Sequence, residues 1–176
     1  MSNTSSLSKT TIALHWAVAV VIIGMLAVGS YMVDLPKGPD KGELIGLHKS
    51  IGFIVLILAS LRVLWRLKEG QITPIPGSPN WQEKAAKGAH HLLLLATILM
   101  PVSGIMMSVG GGRGLDVFGV SLIAGGEKTE WMQAVGHETH EILAFILIAV
   151  IVLHVAGAVK HHLVDKDMTL KRMLGK

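Results

Sequence analysis

Four stretches of this chain are too long and too apolar to belong in water. They run from about Thr11 to Val33, Leu44 to Leu67, Gly88 to Val109 and Met132 to Val159. Each reaches or exceeds the roughly 20 residues a helix needs to cross the hydrocarbon of a bilayer. In that layer each backbone N–H and C=O must be satisfied within the segment, which selects the α-helix. The expectation is an all-α integral membrane four-helix bundle, with residues 1–176 forming a single domain. Turn chemistry separates the stretches. Pro36, Gly38 and Pro39 suit a tight first connection, and Pro74, Pro76, Gly77 and Pro79 mark a non-helical second one. Gly110, Gly111, Gly112 and Gly114 open a longer loop that ends near Trp131.

Composition narrows the class. Charged residues are 16% of the chain, below the roughly 25% usual for soluble domains. There is no cysteine, which excludes disulfides, Cys-ligated iron–sulfur clusters and haem attached through C-x-x-C-H. The net charge of +4 comes with no interleaved basic and aromatic run, so nucleic acid is set aside as a partner. The first apolar stretch is too long for a signal-peptide core and has one basic residue, Lys9, before it, so an uncleaved first helix is expected. Of the 16 basic residues, Lys9, Arg62, Arg66, Lys68, Lys84, Lys87, Lys160, Lys166, Lys171, Arg172 and Lys176 fall on the side of the termini. Lys37, Lys41, Lys49, Arg113 and Lys128 fall on the other. The positive-inside rule therefore places both termini in the cytoplasm.

Of the nine histidines, four, His15, His48, His140 and His154, fall in pairs at two depths of the apolar stretches. An ionisable side chain in lipid is costly and is a functional candidate by default. His15 and His154 share a depth near the cytoplasmic face, and His48 and His140 share a depth near the opposite face. His140 and His154 are fourteen residues apart, which at 100° per residue is 40° short of four turns. They project from one face of the fourth helix, separated by about 21 Å. Two flat macrocycles stacked in a bundle need this arrangement, and neutral imidazole ligates iron well. The same interval recurs from His15 to Gly29, from His48 to Arg62 and from His90 to Gly104. A glycine lets a macrocycle approach the backbone, and Arg62 is placed to pair a haem propionate.

Rival readings exist for these residues. His137 shares roughly the face of His140 and is its competitor as ligand. His90 and His91, at the start of the third helix, could displace His15 or His154, or bind a propionate or a quinone oxygen. His161 and His162 read as interfacial. A zinc or copper site would gather three or four ligands at one point, whereas these pairs are separated, and Glu138 and Glu141 face other directions than His140.

The segments Ile12-Ala13-Leu14-His15-Trp16, Gly46-Leu47-His48-Lys49-Ser50, His137-Glu138-Thr139-His140-Glu141 and His154-Val155-Ala156-Gly157 resemble the bacterial cytochrome b-561 family over essentially the whole chain. That family is related to the membrane cytochrome b subunits of nickel hydrogenases and formate dehydrogenases. Within it, a short stand-alone chain looks most like the di-haem superoxide-oxidising member. The resemblance implies two haem b groups in a multi-pass protein of the bacterial inner membrane. His48 and His140 would hold the periplasmic haem iron, and His15 and His154 the cytoplasmic one. It also implies electron transfer from superoxide to ubiquinone, with lipid as the surroundings and no obligatory protein partner.

An anionic donor needs positive charge at its access route, and Lys49 and Arg113 are the candidates, although acidic residues outnumber basic ones on that side. A quinone needs an apolar slot, an aromatic wall and a proton donor, for which Ser78, Trp81, His90 and His91 are the candidates. Two other functions fit the sequence. One is an electron-relay subunit docked to a dehydrogenase or hydrogenase, with the Gly110–Glu130 loop as the docking surface. The other is a non-redox membrane metal-binding protein.

Overall fold

The computed structural model describes residues 6–70 and 79–176. Four long helices dominate it: α1 (Lys9–Asp34), α2 (Pro39–Glu69), α3 (Asn80–Gly110) and α4 (Glu130–Lys160). All four are long and apolar enough to span a membrane. Between α3 and α4 lies a small antiparallel hairpin, β1 (Leu115–Val117) and β2 (Val120–Ile123). A π-helical turn, His161–Asp165, and a short α5 (Thr169–Met173) close the chain. Thr11 on α1 bonds Glu69 at the end of α2, and Lys160 of α4 bonds Gln82 of α3. The helices therefore run alternately up and down, with both termini at one end and the hairpin at the other.

Each helix extends past its apolar stretch. α2 begins at Pro39 rather than Leu44, and α3 at Asn80 rather than Gly88. The added turns are polar, carrying Asp40, Lys41, Gln82, Glu83 and Lys84. Apolar content locates the part of a helix in hydrocarbon, whereas its backbone bonds continue into the headgroup layer. Pro39 starts α2 without loss because the first N–H of a helix has no partner inside it. At α1, the Ser8 hydroxyl accepts from the N–H of Thr11, and Lys41 donates to the carbonyls of Val33, in the last turn, and Leu35, just past it.

The long Gly110–Trp131 loop expected from sequence contains the hairpin. Its turn is Phe118-Gly119, both with positive φ. Glycine adopts this conformation freely, while phenylalanine does so only under constraint. The constraint is visible: Phe118 N–H donates to the buried Ser50 hydroxyl of α2 at 3.0 Å, and Ser50 donates to Gly46 O. On α3, Ser108 donates to Gly114 O at 2.7 Å.

Close backbone packing is confined mainly to α1–α2, α2–α3 and α3–α4. Gly136 and Gly110 make the α3–α4 contact possible, because a Cβ on either would strike backbone of the facing helix. Small residues at such crossings are the usual basis of helix association in lipid. One fully buried cluster, Val18, Ile22 and Val55, joins α1 to α2, and another, Ala96, Leu143 and Leu147, joins α3 to α4. Val152, Leu153, Phe145 and Leu64 are among many large apolar side chains left on the outside, as a lipid-facing surface requires. The contacts of α4 with α1 and α2 are made across wider gaps, and the histidine pairs lie in those gaps.

Candidate functional site

The structure brings the four membrane histidines together in two pairs. The His15 and His154 ring centroids are 6.2 Å apart, tilted 53°, at the termini end. Those of His48 and His140 are 6.3 Å apart, tilted 73°, at the hairpin end. Two imidazoles on opposite sides of one metal ion need about 2.0–2.1 Å per metal–nitrogen bond and about 1.1 Å from each nitrogen to its ring centre, or about 6.3 Å in all. Both pairs have that spacing, and α4 contributes one member to each.

The walls of the hairpin-end pair suit a flat group. A Cβ on Gly29 would lie 3.5 Å from His48 Cε1, and a Cβ on Gly104 would lie 3.1 Å from His140 Cε1. His140 Nδ1 is 3.0 Å from the Met100 carbonyl and 3.1 Å from Ser103 Oγ. The carbonyl can only accept, so Nδ1 carries the proton and Nε2 keeps its lone pair. His48 Nδ1 is buried with no partner among the described residues, a costly state for a polar atom unless a bound group or solvent relieves it. These donors and this cradle fit haem held by two neutral imidazoles.

The termini-end pair has different neighbours. Arg62 Nη2 is 3.0 Å from His15 Nδ1, and the His90 ring stands edge-on to His154 at 5.4 Å. Each fourteen-residue interval thus joins the two levels: His15 to Gly29, His48 to Arg62, His90 to Gly104 and His140 to His154. His137 points elsewhere. Its Nε2 is 3.9 Å from Glu141 and the side chain is 60% exposed, so His140 is the residue that meets His48.

Residues 6–176 match the family model described as prokaryotic cytochrome b561. Cytochrome b561 homolog 2 of Escherichia coli is 35% identical over 93% of this chain and 88% of its own length. Cytochrome b561 homolog 1 of the same organism is 28% identical over 95% and 96%. The chain belongs to the prokaryotic cytochrome b561 family. Membership carries haem b and membrane electron transfer, and with four spanning helices this is a multi-pass membrane protein. A protein of Yersinia pestis named probable superoxide oxidase CybB is 26% identical over 94% of this chain and 93% of its own. That likeness is weaker than the likeness to homolog 2, so the expected special resemblance to the superoxide-oxidising member is replaced by the broader family.

Other candidate positions in this cytochrome b561 member are less concentrated. Lys49 Nζ contacts the Ser108 hydroxyl at 3.4 Å, and the Arg113 N–H donates to the Ser108 carbonyl. Lys49 is half-buried and Arg113 exposed, and because the Arg113 contact is made by its backbone it does not bring the two cationic groups together. Trp81 is 68% exposed, His91 is exposed, and Ser78 lies outside the described residues. Of the three that are described, His90 is the one that touches a histidine pair. Sequence reading missed the Met100 carbonyl, because a backbone acceptor carries no signature in residue type. It also missed a polar knot beyond α4, where His161 Nδ1 lies 2.7 Å from Asp167 and 3.1 Å from Asp165, and Lys160 bonds Asp165. At Asp167, partial burial pushes the carboxyl up, but hydrogen bonds from Thr169 and His161 outweigh it and hold the group below its ordinary value.

Proposed function

We propose that this chain is a di-haem cytochrome b that carries electrons across the membrane, oxidising superoxide at the periplasmic face and reducing ubiquinone. The observation behind this reading is the pair of opposed imidazole couples at 6.2 and 6.3 Å, one near each end of the bundle. Under it, His15 and His154 hold one haem iron, and His48 and His140 hold the other. The bias of Lys and Arg supports cytoplasmic termini, which makes the hairpin end periplasmic.

Haem held by these histidines would supply one-electron transfer. The chain supplies the rest. Met100 fixes the His140 proton on Nδ1 and aims Nε2 inward. Gly29 and Gly104 leave room for a macrocycle, and Arg62 offers a guanidinium to a propionate. Lys49 and Arg113 are the basic residues that would give an anionic donor a positive approach. Two superoxide ions yield two dioxygen molecules and two electrons, and a quinone takes those electrons with two protons to become a quinol. The quinone candidates are Ser78, Trp81, His90 and His91, and among the described ones His90 is the best placed, beside His154. The name of the Yersinia pestis relative supports superoxide as donor.

The test is a reduced-minus-oxidised optical spectrum of the purified protein with haem stoichiometry. Two b-type haems per chain, reduced by a superoxide pulse and reoxidised by ubiquinone, are expected. A protein with two haems that superoxide leaves oxidised would remove the donor assignment and keep the cytochrome. One observation favours a second reading, an electron-relay subunit. The hairpin exposes Phe118, Val120 and Leu122 at the end that holds His48 and His140, and a stoichiometric redox enzyme co-purifying with the chain would support it.

A further inference from the structure

Beyond α4 the chain folds back on itself instead of trailing away. The π-helical turn His161–Asp165 is ended by Lys166, whose φ of 54° is left-handed. The N–H groups of Lys166 and Asp167 both bond back to the His161 carbonyl. Asp167 then accepts from the N–H of Thr169 at 2.8 Å, and α5 follows. A contact from α1 holds α5 in place: Trp16 Nε1 donates to the Met173 carbonyl at 2.8 Å. The reversal gathers His162, Leu163, Lys166, Asp167 and Lys171 around one open cavity of about 310 Å³.

The charges around this cavity are unbalanced. Asp165 is engaged by Lys160 and His161. Asp167 uses one carboxylate oxygen for His161 and the other for the Thr169 N–H. Lys166 and Lys171, by contrast, have no ion pair among the described residues. Lys166 also occupies a backbone conformation that glycine or asparagine would adopt at less cost. Two ammonium groups on separate elements, both fixed by the fold, therefore line a cavity whose one carboxylate is already spoken for.

The depth of the cavity selects among anions. The apolar span that starts at Glu130 runs to Asp165, so His162 and Leu163 belong to its end, and Lys166 and Lys171 lie past it. Leu163 and its neighbour Val164 are largely exposed, as side chains against acyl chains are. An apolar wall on the span side with cations on the outer side matches the boundary where phospholipid phosphates sit above their chains. A soluble anion would use the ammonium groups and have no use for Leu163. A zwitterionic headgroup would bring a further cation to a site that already holds two.

We propose that this cavity is a headgroup site for an anionic phospholipid of the leaflet at the termini end, with Lys166 and Lys171 pairing the phosphate and Leu163 packing on the first carbons of the chains. A phosphate shared by the two lysines bridges the π-helical turn and α5, and so ties the end of the chain to the bilayer. The site is separate from the histidine pairs and does not depend on how they are used.

The test is native mass spectrometry of the intact purified cytochrome in detergent, titrated with phosphatidylglycerol or with phosphatidylcholine of the same acyl chains. A lysine near a phospholipid surface is worth about a fivefold factor in affinity, so phosphatidylglycerol should be held at least about tenfold more tightly. The double variant Lys166→Asn with Lys171→Gln should lose that preference, asparagine being tolerant of the left-handed backbone. The pair Lys84→Gln with Lys87→Gln, which removes the same charge from the start of α3 at the same end, should keep it. Inorganic phosphate in excess should leave phosphatidylglycerol bound. Equal retention of the two lipids by the unmutated protein, a preference that survives the double variant, or an equal loss in the α3 pair would each overturn the proposal. Displacement by inorganic phosphate would overturn it too, by making the site one for a free anion. The haem absorbance spectrum checks that each variant is intact. Should the double variant lose it, Lys171→Gln alone decides, with an expected loss of about fivefold in affinity for phosphatidylglycerol.

Discussion

The two histidine pairs are nearly identical in spacing and quite different in surroundings. At 6.2 and 6.3 Å, both fit one ion between two rings. Yet the termini-end pair has a cation and a third imidazole beside it, and the hairpin-end pair has a carbonyl, a hydroxyl and two glycines. Ring spacing is set by backbone geometry, which repeats along α4 at fourteen-residue intervals. Surroundings are set by α2 and α3, which present different residues at the two depths. Duplication of a histidine pair therefore does not duplicate its surroundings, because α2 and α3 differ at the two depths.

The largest effect that could break this comparison is loss of a ligand. On the proposed di-haem reading, His48→Ala or His140→Ala should halve the haem content and leave the termini-end haem. His15→Ala or His154→Ala should leave the other. Pyridine haemochrome analysis measures this, and a variant that retains both haems would strike that histidine from the ligand set. Next comes the cradle. A side chain on Gly104 meets His140 at 3.1 Å, so Gly104→Leu should weaken retention of the hairpin-end haem by about 10–100-fold, the usual range when a ligand's supports are disturbed. Retention against apomyoglobin as haem acceptor gives the number, and the termini-end haem serves as an internal control.

A smaller effect concerns the hairpin, at the end that holds His48 and His140. Ser50 is buried and joins α2 to Phe118 N–H. Ser50→Ala should cost about 1–2 kcal/mol of local stability through the unsatisfied N–H, seen as faster hydrogen exchange at Phe118 and its neighbours with haem content unchanged. The smallest effect lies outside the bilayer. The Asp167 carboxyl is held below its ordinary value of 3.8. Its bonds therefore stabilise the chain end fully above that value and lose hold as pH falls through the lower, folded value. Trp16 Nε1 donates to the Met173 carbonyl at 2.8 Å, so Trp fluorescence should report release of α5 on acidification below about pH 3.8. Asp167→Asn should flatten that response.

Much of the site was legible in residue order. Fourteen residues bring a helix back almost to the same face, so His140 and His154 had to share one, and Gly29, Gly104 and Arg62 fell at the level opposite the histidine that precedes each. The preference for His140 over His137 was only partly legible. The two are three apart on α4 and differ by a fraction of a turn, and the choice depends on Met100 and Ser103, some forty residues upstream. His90 was legible as a candidate but not as a neighbour of His154, since the contact depends on how α3 leans against α4. The hairpin was hidden because its strands are three and four residues long and carry no clear alternation.

The sequence by itself determined that four helices cross a membrane and that four histidines sit at two depths. Both follow from local quantities: the hydrophobic length of a span and the pitch of a helix. The tertiary structure decided which histidine meets which, what lies behind each ring, and where Phe118 is pinned. Those outcomes depend on crossings between helices far apart in sequence, where Gly110 and Gly136 let backbones approach and the wider gaps beside α4 receive the rings.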